Sequence, residues 1–259
     1  MNPRNAISDH SKRTYTVPGS TEPLTSVTTF LQAYPKEYLV PWAAKMTAQR
    51  AIGHFPELVR RMWDDGHEDA ERWLKAAPQE KRETAAGHGT DVHAYLEARA
   101  TEDQDYDYLP ETPATVAVEQ FLAAFRPEPL YVEAQIASIE YGYAGSLDLI
   151  ASVYGRTGLI DLKTSGTVGA ETRLQLAAYR HGEFIFEDER VIAAVPKVDF
   201  CAVLWIPRDN PAGWQFIEVD ADLPEFVQFQ HIQATWHFSR ANKSGVGGTL
   251  ILTQKEANA

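Results

Sequence analysis

The chain has 259 residues, of which 44% are hydrophobic, a formal net charge of −12 and a single cysteine. That apolar content can bury a full core in one domain with an N-terminal helical addition, and one cysteine excludes an internal disulfide and any cysteine-ligated zinc or iron–sulfur site. No apolar run reaches about 18 residues and the N-terminus lacks an apolar signal core, so the expectation is a soluble, cytoplasmic protein with no membrane partner.

Residues 1–22 are polar and mixed, without a periodic apolar face, and read as lacking fixed structure. From Thr25 the pattern turns helical through Val27, Phe30 and Leu31. A helix over 35–52 follows, with Leu39, Trp42, Ala43 and Met46 on one stripe and a break or kink at Pro41. Residues 55–77 give two short amphipathic pieces divided near Asp65 and Gly66, whose Arg60, Arg61, Arg72 and Lys75 read as a solvated face. A separate helix over 79–100 carries His93, and a further one over 113–125 is entered through Pro113 and ends before Pro127. The acidic excess argues against a nucleic-acid partner. Much of it, however, sits in Glu102–Asp107 and in 183–189, away from the strands that follow.

Between 130 and 164 three β-runs appear, Leu130–Ile139, Tyr143–Tyr154 and Gly158–Thr164, the last two forming a hairpin across the glycines at 155 and 158. Leu174, Ala177, Ala178 and Phe184 then recur at helical spacing over 171–185. The strands carry ionisable residues where a core wants apolar ones: Glu133, Asp148, Asp161 and Lys163. Residues two apart on a strand share a face, so Asp161 and Lys163 lie together and the hairpin partner can bring Asp148 beside them. Clustered carboxylates repel one another unless a cation neutralises them, and a few oxygen ligands completed by water suit Mg2+. Val198–Ile206 reads as a strand covered on both faces, with Cys201 as a small core residue. Trp214–Val219 is its alternating partner strand, and 224–241 a closing helix. The domain expected is 23–243, with a helical part over 23–126, a sheet core over 127–243 and a tail over 244–259 of unreadable role.

Glu133, then Gly145-Ser146-Leu147-Asp148, then Ile160-Asp161-Leu162-Lys163-Thr164-Ser165, then Gln175 with Tyr179 four residues on, together resemble the PD-(D/E)xK nuclease superfamily in its RecB-like, phage-type exonuclease branch. That branch adds a helical histidine with a glycine four residues before it, which Gly89 and His93 match. Leu147 stands where the nominal signature has proline. The segment 26–31 with Leu39, Trp42 and Ala43 is similar to the opening of phage-type members. The resemblance implies an α/β fold, a restriction-endonuclease-like mixed β-sheet flanked by helices. It also implies Mg2+ or Mn2+ held by His93, Asp148, Asp161 and the backbone carbonyl of Leu162, with no iron–sulfur cluster. Glu133 would hold a second ion or orient water, Lys163 would position or deprotonate water, and Gln175 and Tyr179 would border the site. Arg173 and Arg180, seven apart on another stripe of the same helix, are candidate phosphate contacts. The implied function is a divalent-metal-dependent DNA exonuclease of recombination, repair or phage DNA metabolism, in the cytoplasm of a bacterium or phage-infected cell. A recombination or single-strand-binding protein would be its partner. A catalytically silent DNA-binding or scaffold protein of the same fold and a small metal-dependent phosphodiesterase are the competing readings.

Overall fold

The apolar alternation that dominates 128–163 builds a β-centre, and a computed structural model, which describes residues 14–101, 111–188 and 190–241, divides it between two mixed sheets. The strands of the motif region are β3 (Glu128–Val132), β4 (Gln135–Ser138), β5 (Tyr143–Ser146), β6 (Leu149–Val153) and β7 (Arg156–Lys163), numbered after β1 (Thr14–Tyr15) and β2 (Leu24–Ser26). After them come β8 (Phe184–Glu187), β9 (Arg190–Ala194), β10 (Phe200–Trp205) and β11 (Gln215–Val219). One sheet has the order β1-β2-β5-β4-β8-β9 and the other β11-β10-β7-β6-β3. With seven α-helices among the described residues, this is a mixed α/β fold.

The five-stranded sheet is sandwiched, and strand parity decides what each face meets. Even-numbered Ile160, Leu162, Ala202 and Leu204 join one core with α4 (His67–Ala100) and α5 (Pro113–Phe125). Odd-numbered Leu159, Cys201 and Val203 join another with α6 (Glu171–Arg180) and α7 (Leu223–Ala241). Asp161 and Lys163 therefore point toward α6. The α5 helix starts where Thr112 accepts from the Thr115 N–H at 3.2 Å, with Thr115 Oγ1 accepting in return from the Thr112 N–H at 2.8 Å. It ends where Arg126 turns left-handed at φ 45°.

The two sheets share one long hairpin. β3 runs on into β4 and β5 into β6, and at the step Glu133 N–H donates to Asp148 O at 2.8 Å while Leu147 N–H donates to Ala134 O at 2.9 Å. Pairing thus continues while the ladder passes from one sheet to the other. Glu133 takes up the bend with φ 46°, a left-handed conformation unusual for a residue with a side chain. The expected single strand over 130–139 is therefore two, divided at this crease.

Other expectations change as well. The helix expected over 171–185 stops at Arg180, because Phe184, Ile185 and Phe186 pair with Ala137, Ile136 and Gln135 of β4. At Gly182, a Cβ would lie 2.6 Å from Ile136, so the chain turns where only glycine fits the approach. The helix carrying His93 is 34 residues long and passes through Pro78, so the second amphipathic piece expected within 55–77 and the helix expected over 79–100 are one element. Pro41 lies in the first turn of α2 (Leu39–Gly53), where its missing N–H leaves no hydrogen bond unmade. Residues 14–22 include β1, and Tyr15 and Val17 are buried against Ala137, Ala144 and Phe186 on the outer face of the six-stranded sheet. The remainder of the 1–22 expectation, the 102–107 acidic tract and the 244–259 tail lie outside the described residues. The α2 helix and α3 (Phe55–Asp64) bury no residue fully. They lie along the first half of α4, where Arg50 and Arg61 stack over the Trp73 ring at 5.3 and 5.1 Å. Trp42 thus packs on Arg82 rather than on a sheet.

Candidate metal centre

Period-two geometry puts Asp161 and Lys163 on the α6 face of β7, and Lys163 Nζ lies 2.6 Å from Asp161 Oδ2. α6 supplies the next layer, since Gln175 and Tyr179 are one helical turn apart on the face turned to the strand. Gln175 Nε2 donates to Asp161 Oδ1 at 3.0 Å, Lys163 Nζ donates to Gln175 Oε1 at 3.3 Å, and Gln175 Nε2 reaches Tyr179 Oη at 3.4 Å. The hydroxyl end of the Tyr179 ring lies against Gly145, where a Cβ would come within 2.6 Å of Cε1. Glycine at 145 is thus a space requirement, because any side chain would displace the ring from its place beside Gln175.

Asp148 enters from the crease. Its Oδ2 accepts the Leu162 N–H at 2.6 Å, and its Oδ1 is 3.4 Å from His93 Nδ1. His93 Nδ1 is also 3.6 Å from Glu133 Oε1. One donor atom from each of His93, Glu133 and Asp148 falls within a 4.8 Å group. α4 thus delivers an imidazole over two carboxylates that the hairpin sets side by side. Gly89, one turn before His93, is the point where α4 meets Thr164, whose Oγ1 would lie 3.1 Å from a Cβ there.

Burial and crowding drive these groups' pKa values apart. Burial, with the Asp148 charge adding to it, pushes the Asp161 carboxyl up to about 6 against the pull of Lys163. Glu133 is also raised, mainly by burial and then by Asp148, against the opposing pull of His93. Asp148 goes the other way: burial opposes its charge, yet His93, Lys163 and the Leu162 N–H outweigh it and lower the pKa. Burial works against a charged His93, but Asp148 and Glu133 raise it to about 10. Lys163 is likewise held above its ordinary value by Asp161 and Asp148 in spite of burial. Burial lifts Tyr179 well above the phenol range, so it stays a neutral hydroxyl.

The residues fit a divalent cation. Asp161 Oδ2 is buried, and its partner is the Lys163 ammonium of the 2.6 Å ion pair. A buried carboxylate answered only by an ammonium, beside a carboxylate, carboxylate and imidazole set, is the donor chemistry of a hard or borderline metal ion. His93, Glu133 and Asp148 form the tight group, and Asp161 stands next to it in the Lys163–Gln175 network. Leu162 contributes its N–H to Asp148. Glu97, one turn beyond His93 on α4, lies close enough to raise Glu133 and extends the acidic surround. Sequence reading gave it no role, although its i+4 spacing from His93 was the available signal.

Arg173 and Arg180 lie on a different side of α6. Arg173 donates to Asp220 O at 2.8 Å and pairs with Glu225, and Arg180 donates to Val198 O at 3.1 Å with Asp222 at 3.5 Å. Both clamp α6 to the start of α7, and their charges are answered there instead of at the centre. No described helix is long and apolar enough to cross a membrane.

No family model matches the chain, and no curated protein does. Among solved structures, the crystal structure of SSO0001 is similar over 57% of this chain and 73% of that chain, at 15% sequence identity and a TM-score of 0.30. A likeness of that extent carries no argument about fold or function.

Proposed function

We propose that this protein is a divalent-metal-dependent deoxyribonuclease of the PD-(D/E)xK, RecB-like kind, acting as an exonuclease in recombination, repair or phage DNA metabolism. The observation that carries the reading is the meeting of His93, Glu133 and Asp148 at the crease, next to the buried Asp161 carboxylate and its Lys163 ammonium. With a divalent cation on its carboxylates, such a centre would set the ion and the Lys163 ammonium at one point on a strongly acidic chain, which suits a phosphodiester. A mixed five-stranded sheet with helices on both faces supports the finer assignment to a restriction-endonuclease-like architecture.

His93, Asp148 and Asp161 would hold Mg2+ or Mn2+, with Glu133 beside them and the Leu162 carbonyl as the resemblance implies. The bound ion would polarise a phosphoryl oxygen and lower the pKa of water. Lys163, kept protonated by two aspartates, offsets negative charge as it develops on the phosphate. Gln175 fixes both Asp161 and Lys163 and so sets the angle between acid and ammonium. The acidic surface makes DNA affinity weak and salt-sensitive, which favours a recombination or single-strand-binding partner that delivers the strand.

Digestion of end-labelled linear and circular DNA with Mg2+ or Mn2+, with and without EDTA, tests this. Cleavage of linear DNA that disappears with EDTA is expected. Absence of cleavage with either metal, in protein that binds Mn2+, overturns the nuclease reading.

A further inference from the structure

A cavity of about 460 Å3 opens beside the metal centre, and the reading of that centre leaves it unused. It lies where the end of α4 meets the crease, and Glu133 belongs to both: it lines the cavity and sits 3.6 Å from His93. β3, β8 and β9 provide apolar walls, with Leu130, Phe186 and Ile192 among them, and Tyr131 adds an aromatic surface. Leu130 and Ile192 are each 51% exposed, so apolar surface is left facing solvent at the mouth.

The charge of the lining narrows what can enter. No lysine or arginine is among its described lining residues, and Glu133 and Glu187 are carboxylates. A phosphate is therefore repelled from this cavity and drawn to the Lys163 side of the crease. The part of a nucleotide that fits here is the neutral one: a flat, largely apolar ring with a polar edge, for which Thr101 and Gln135 offer donors and acceptors. The volume falls within the roughly 300–1,000 Å3 of small-molecule sites, too confined for a base pair within a duplex. A base reaches such a place only when it is unpaired, which is easiest in a single strand.

We propose that this cavity receives the unpaired base of the nucleotide adjoining the scissile phosphate, so that the protein acts on single-stranded DNA or on frayed ends. The inference rests on the nuclease reading for the position of the phosphate, and its test reads binding alone. Oligonucleotides carrying 2-aminopurine at the 5′ or the 3′ terminal nucleotide are titrated with the full chain in Ca2+, and the fluorescence of the base is followed. One of the two single strands should respond, and a blunt duplex with the same label should not. Ile192→Trp and Leu130→Trp, substitutions on two different strands at half-exposed positions, fill the cavity and should each weaken that response at least tenfold. A strand with an abasic terminal nucleotide, followed by the anisotropy of a dye at its other end, should bind wild type and both variants alike. An unchanged response in both folded variants, an equal response from the duplex, or no response from either strand overturns the proposal. Base capture in a protein that cleaves no DNA with Mg2+ or Mn2+ would uphold the cavity and reject the nuclease reading.

Discussion

Acidic residues are arranged in opposite ways in the helical arm and at the crease. On α3 and the first turns of α4, Glu57 lies 2.9 Å from both Arg60 and Arg61, and Asp69 lies 2.9 Å from Arg61 and 3.0 Å from Arg72. The Glu57–Arg60 pair is open to water and the Arg61–Asp69 pair half-buried, and in each an acid meets a guanidinium, so solvent screening leaves little net energy in the exposed pair. At the crease, among the described residues, Glu133, Asp148 and Asp161 have His93 and Lys163 as their cationic partners, with Glu97 adding a further negative charge nearby. The two aspartates are the most buried members there, Asp161 being 3% exposed. A carboxylate with its own arginine is chemically quiet, whereas a buried surplus of carboxylates is a demand for a cation. The net charge of the whole chain averages the two situations and describes neither.

Breaking the crowded side of this contrast should have the largest effect. Asp148→Ala and Asp161→Ala should each lower metal-dependent DNA cleavage by about 10^3-fold or more, the scale on which loss of one strong transition-state charge stabiliser reads. Near-wild-type rates in either variant would remove the site assignment. His93→Ala should weaken Mn2+ binding by about 10–100-fold in isothermal titration. Unchanged affinity would make the histidine a packing residue.

Without metal, the two aspartates should separate. Sequence alone treats them alike, as members of one repelling set whose loss leaves the fold intact. Asp161 has a folded pKa of about 6, above its unfolded value of 3.8, so its stabilising contribution is present below 3.8 and lost as pH rises through 6. In EDTA, Asp161→Asn should therefore gain on wild type as pH rises from 4 to 7, by up to about 3 kcal/mol at roughly 1.4 kcal/mol per pH unit. Asp148 is depressed, so its contribution is present above the unfolded pKa and lost in acid. Asp148→Asn should accordingly lower the metal-free Tm at pH 7. Thermal melts in which both variants move the same way would refute the partition of charge described above. The smallest effect belongs to the arm: Arg60→Ala should leave Tm within about 1 °C of wild type, because the exposed pairs it breaks are screened.

Which features could be read in advance follows from how local their causes are. α5 was legible to the residue, since Pro113 and the Thr112 cap act within one turn. β10 was legible because both its faces are buried and its apolar run is continuous. β8 was hidden, because Phe184 continues the helical spacing of α6 and only pairing with β4 assigns it to a strand. The boundary expected between the 55–77 pieces and the 79–100 helix does not exist, because the packing of α2 and α3 along α4 holds one helix through Pro78. At the site, Asp148, Asp161 and Lys163 follow from period-two alternation and one hairpin register. His93 comes from a helix more than 50 residues earlier, and no local pattern joins it to them. The crease was marked by Glu133 and Asp148 alone, acids within runs that otherwise read as continuous strands, and an acid there signals a site before it signals a bend.

The bend at Glu133 sets two demands on one position against each other. A side chain at φ 46° is disfavoured by roughly 1 kcal/mol relative to glycine, and this carboxylate is further burdened by burial. Any procedure that ranks substitutions by folding free energy alone, whether computational redesign or selection for heat resistance, would drift toward glycine here. The hairpin would then turn in comfort, and the acid beside His93 would be gone. Residue 133 is thus a position at which a thermostabilised descendant of this protein should be expected to lose its chemistry first.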